Sequence, residues 1–142
     1  MDVLTEVYND LLDSGVMVAS GSYHLKGECD SVLIRQGDKY GIFLDIDKIR
    51  TLPQEREAVV HEWAHIQTGS TYTLDATETV REKAENRADK VQIKKLIPKD
   101  ELDAAVADGR TEMWELAEIF GVSEDFMCKA VHWYTYGNLA TE

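Results

Sequence analysis

Between Thr51 and Gly69 the chain reads TLPQEREAVVHEWAHIQTG, a helix with both of its ends written into the sequence. Thr51 can cap the first turn, Gln54 can reciprocate three residues later, and Pro53 is tolerated at the start of a helix. Gly69 and the polar GSTYT segment supply the stop, so the helix is expected from about Pro53 to Thr68. In its second half Val59, Val60, Trp63, Ala64 and Ile66 crowd round the helix. A segment that apolar must be covered rather than left on a wet surface. His61, Glu62 and His65 lie in that same half, and buried imidazoles need polar partners. The rest of the chain therefore has to bring polar groups to this helix.

The other elements follow from periodicity and turn chemistry. Val3, Leu4, Val7, Leu11 and Leu12 share one helical face, and Ser14-Gly15 ends that helix. VMVAS reads as a short strand or an extended link. DSVLIRQ and KYGIFLDI flank Gly37-Asp38 and read as a β-hairpin. A second long helix is expected from about Ala76 to Leu96, before Ile97-Pro98, with further helices at about 99–107, 112–120 and 124–136. The order of helix, hairpin, then helices predicts an α+β fold. At 142 residues a single domain, 1–142, is expected, with a helical part at 99–142.

Residues four apart on a helix share a face, about 5–6 Å apart at Cβ, so His61 and His65 can point two imidazoles at one ion. Glu62 lies about 100° round the helix, where a carboxylate can reach a water on that ion without ligating it. This is the HExxH arrangement: two neutral nitrogens bind Zn²⁺ and a free carboxylate takes a proton. A third ligand must come from elsewhere. Asp75, Glu78, Glu82, Glu85 and Asp89 are the downstream acids. Spacing favours Glu85, with Glu82 next. Glu85 and Asp89 share one face of a helix that can fold back beside the first, so that one ligates while the other accepts a histidine N–H.

HEWAH followed by ENRADKVQIKKLIP resembles the ImmA/IrrE family of metallo-endopeptidases, in which HExxH is joined by E-x-x-A-(N/D) on a helix ending in an apolar residue and Pro. Glu85-Asn86-Arg87-Ala88-Asp89 matches that second block, and the resemblance is best over roughly residues 40 to 98. It implies a zincin-like fold, a small sheet packed on the active-site helix, and a gluzincin-like Zn²⁺ site. His61, His65 and Glu85 would be the ligands, Glu62 the general base and Asp89 the partner behind a ligand. His132, Tyr72, Tyr134 and Tyr136 are candidates for a transition-state donor, although each also suits a core or surface place. By analogy with zincin-like folds, the hairpin near Tyr40 to Asp45 would offer a sheet edge to an extended substrate. The family also implies a protein substrate: a helix-turn-helix repressor of phage or mobile-element immunity, carried on a separate chain. The alternative is a zincin-fold binding module that does not cut, acting as an anti-repressor or antitoxin-like partner.

A net charge of −12 disfavours binding to phosphate backbones, so no direct nucleic-acid partner is expected. WELAEIFGVSEDFMCKAVHWY has helix-turn-helix spacing, but its second helix carries Glu124, Asp125 and one Lys129, which suits a structural or docking pair better than a DNA reader. No segment is apolar enough to span a bilayer, and MDVLTEVYNDLLDSG does not read as a signal peptide. Cys29 and Cys128 are far apart and fit no metal spacing, as in a protein with free thiols. Cytoplasmic residence is the expectation.

Overall fold

A computed structural model describes residues 2–137, so the first residue and the last five of the expected 1–142 unit lie outside the described residues. The elements run α1 (Val3–Asp13), β1 (Met17–Gly21), β2 (Ser31–Gln36), β3 (Lys39–Asp45), α2 (Leu52–Thr68), α3 (Glu78–Leu96), α4 (Lys99–Ala107), α5 (Met113–Phe120) and α6 (Glu124–Tyr136). The fold is α+β, as expected: the described residues form a three-stranded sheet and six helices. The ambiguous VMVAS stretch is a strand, β1. The second long helix starts at Glu78 rather than Ala76, because the Thr77 hydroxyl accepts the Val80 N–H and sets the cap.

Strand order is β1-β3-β2, with β1 parallel and β2 antiparallel to β3. This corrects the expectation that Tyr40 to Asp45 offers a free edge. That segment is the central strand, paired on both sides, and the open edges belong to β1 and β2. The hairpin signal was right, but a hairpin cannot say which of its strands a third one will join. The crossing from β1 to β2 is held by Asp45, which is fully buried at the end of β3. Its carboxylate accepts the backbone N–H groups of Leu25 and Asp47, each at 3.1 Å. The Lys48 ammonium donates to the carbonyls of Leu25, Gly27 (2.7 Å) and Cys29 (2.9 Å). A wandering loop thereby becomes a fixed approach to Ser31.

α2 lies across the sheet and packs on β2, β3, α1 and α3. Its capping box is formed as read: the Thr51 hydroxyl accepts the Gln54 N–H at 3.3 Å and Gln54 Oε1 accepts the Thr51 N–H at 3.1 Å. Val59, Val60 and Ala64 are completely buried. On α3 the residues facing inward include Ala84 and Ala88, small enough to let the two helix backbones approach closely. The core continues through Ile93, Ile97, Leu116, Val122 and Met127 into the C-terminal helices. No helix among the described residues is long and apolar enough to cross a membrane.

Candidate metal centre

The close approach of α2 and α3 sets Glu85 against the two histidines. His61 Nε2 lies 3.0 Å from Glu85 Oε2, and His65 Nε2 lies 3.2 Å from Glu85 Oε1. One donor atom from each residue lies within 4.8 Å of the other two, so the three could hold one ion. Two ligands about 2.0 Å from a tetrahedral ion sit about 3.3 Å apart, which is the spacing seen between each nitrogen and the carboxylate.

The back of each imidazole is also engaged. His65 Nδ1 faces the Ser70 carbonyl at 3.0 Å. Local geometry delivers that carbonyl: Gly69 ends α2 in the left-handed region at φ 62°, and the chain then doubles back over the last turn. His61 Nδ1 lies 3.4 Å from Gln92 Oε1 and 3.5 Å from Asp89 Oδ1. Gln92 is oriented by its own amide, which donates to the Glu57 carbonyl at 2.8 Å. With acceptors behind Nδ1, each ring can keep a proton there; Nε2 donates to Glu85 in the metal-free protein and would give up that proton to offer its lone pair to an ion. That donor set, two imidazole nitrogens and a carboxylate, fits a divalent ion of the zinc class.

The electrostatics describe the same cluster. Burial works against a charged His61, but the bond to Glu85 and the charges of Glu62, Glu85 and Asp89 prevail and lift its pKa to about 9. Burial would raise Glu85; the bonds from His61 and His65 outweigh it and hold the carboxyl well below the usual carboxylate range. Glu62 is only 5% exposed, and burial pushes its pKa up, opposed by the charge on His61 and a 2.8 Å bond from the Ser31 hydroxyl. Burial and Glu85 push Tyr72 up to about 12.

These residues line a cleft of about 380 Å³. His61, Glu62, His65 and Glu85 line it together with residues 29–33 and Thr71 to Leu74. Of the four candidate donors, Tyr72 alone lines it, with its hydroxyl donating to Glu85 Oε1 at 2.8 Å. His132 lies on α6 with its ring against Tyr136, and Tyr134 donates to the Ile97 carbonyl at 2.7 Å. Neither they nor Tyr136 are among the lining residues. Asp89 stands behind His61 but is shared: Lys129 of α6 pairs with its other oxygen at 2.9 Å. Sequence reasoning missed Ser31, Ser70 and Gln92. Only Ser70 carried a local signal, its place directly after the glycine that stops α2.

No curated protein and no solved structure matches the chain. A protein-family model does, over residues 21–132, which takes in the whole cleft, HEWAH and ENRAD. The match brings with it a metallopeptidase-like role. On that match the chain belongs to the IrrE N-terminal-like family, Peptidase M78.

Proposed function

We propose that this protein is a Zn²⁺-dependent endopeptidase that cuts a helix-turn-helix transcriptional repressor carried on a separate chain, relieving repression. The observation that carries the peptidase part is a buried carboxylate, Glu62, which lines the same cleft as the His61–His65–Glu85 cluster without belonging to it. A module that merely bound metal or a partner would have no need of it. When bound, the ion supplies Lewis acidity, polarising a peptide carbonyl and acidifying water. The side chains do the rest. Glu62, its pKa raised by burial, takes a proton and returns it to the leaving amine. Tyr72, which lines the same cleft, offers a hydroxyl to the developing oxyanion. The open edge of β2 takes the substrate as an added strand.

The repressor rests on the family resemblance, and the charge of −12 suits approach to a basic DNA-binding protein. The test is to incubate a helix-turn-helix repressor with zinc-loaded wild type and with Glu62→Gln. Cleavage by wild type, slowed roughly a hundredfold or more in Glu62→Gln, is the expected outcome. Equal relief of repression by both proteins would instead favour a non-cleaving anti-repressor.

A further inference from the structure

Ser31 opens β2 and faces two ways. Its side chain points to the helix, where the hydroxyl donates to Glu62 Oε2 at 2.8 Å, and both residues are buried. Its backbone points to the open edge. Asp45 N–H donates to the Asp30 carbonyl at 2.9 Å, and Ser31 pairs with Leu44 in antiparallel register. Peptide groups alternate in direction along a strand, so if Asp30 turns towards β3, Ser31 and Leu33 turn outward. The Ser31 carbonyl accordingly takes no strand partner there; it accepts the Cys29 thiol at 3.1 Å. Ser31 and Leu33 both line the cleft.

We propose that Ser31 is a positioning residue that ties the register of an incoming substrate strand to the orientation of Glu62. The inference rests on the peptidase reading and deepens it. A strand added to β2 meets the outward peptide groups of Ser31 and Leu33. The same residue that fixes the strand's register holds the carboxylate that must meet the scissile bond. Reacting groups lose rate steeply when misplaced by about an ångström, so a short rigid link between strand and base has a direct kinetic use. The approach loop, held by Asp45 and Lys48, keeps Ser31 itself in place.

The probe is an internally quenched peptide selected from a random pool with the zinc-loaded wild-type protein. Ser31→Ala leaves the backbone edge intact and removes only the hydroxyl. It is expected to lower kcat roughly ten- to a hundredfold, with KM within about twofold and metal content unchanged. Ser31→Thr, which keeps a hydroxyl on a strand-forming residue, is expected to restore most of kcat. A raised KM with unchanged kcat, or Ser31→Ala equal to wild type, would overturn the proposal. Crystal structures of the three proteins give a readout without turnover. The Glu62 carboxylate should shift by about 1 Å or more in Ser31→Ala and return in Ser31→Thr; a carboxylate that stays put overturns it. Should wild type cleave nothing that Glu62→Gln spares, the peptidase reading fails, while the crystal comparison still decides the Ser31–Glu62 link.

Discussion

Where α2 faces α3 the inward groups include His61, His65, Glu85, Asp89 and Gln92, each facing a polar partner. Around α5 and α6 the buried groups include Leu116, Ala117, Val122, Phe126, Met127 and Ala130, and the polar bonds to the first pair run through the turn between the two helices. The Glu57 carboxylate accepts the Ser123 N–H and hydroxyl, both at 2.9 Å, and Arg56 donates to the Gly121 carbonyl at 3.0 Å. The two pairs share one core but answer to different forces. In the first, loss of one polar group strands another in a place water reaches poorly. In the second, loss of a side chain leaves a cavity. The first pair should therefore respond to pH and metal, the second to volume.

The largest effect is expected in the second pair. Met127 is fully buried, and Met127→Ala should lower stability by about 2–5 kcal/mol in denaturant unfolding. Metal stoichiometry of the folded fraction should not change. A Met127→Ala protein that unfolds like wild type but loses metal would break the division.

Next comes pH. In the metal-free protein the Glu85 bond and the surrounding carboxylates outweigh burial and lift the His61 pKa from the ordinary 6.5 to about 9. A group whose folded pKa is raised contributes stability that is complete below the unfolded pKa and disappears as pH climbs through the folded one. Metal-free protein should thus lose up to about 3 kcal/mol between pH 6.5 and 9, visible as a falling Tm. Metal binding displaces the same proton, so affinity should strengthen over that range. A metal-free Tm that is flat or rising there would contradict the assignment.

The smallest effect is the most local. Gln92→Leu keeps a similar side-chain size but removes the acceptor behind His61 and the donor to the Glu57 carbonyl, and should weaken metal affinity about tenfold by competition with a chelator. Wild-type affinity in this variant would mean that Asp89 alone fixes the ring.

What the sequence disclosed follows the reach of each interaction. The α2 helix was legible because Thr51, Gln54 and Gly69 act within four residues of their partners. Glu85 and Asp89 could be paired because four residues make one helical turn. The hairpin announced itself at Gly37-Asp38, where the turn at φ 63° is local. The order of the strands did not, since β1 joins β3 across the whole β2 excursion. Ser31 is 31 residues from Glu62, and Gln92 is 31 from His61, and nothing in either residue type marks it for that task. His132 shows the converse: a histidine with suitable chemistry, carried by its helix to a place outside the cleft lining.

The central claim is that His61, His65 and Glu85 together hold one divalent ion. Crystals grown with Zn²⁺ and measured across the zinc absorption edge test it directly. The account predicts one strong anomalous peak per chain, about 2.0–2.1 Å from Nε2 of His61 and of His65 and about 2.0–2.2 Å from a Glu85 oxygen. Glu62 should stand beside the peak without touching it. A peak ligated by Glu62, or none between α2 and α3, would contradict the account.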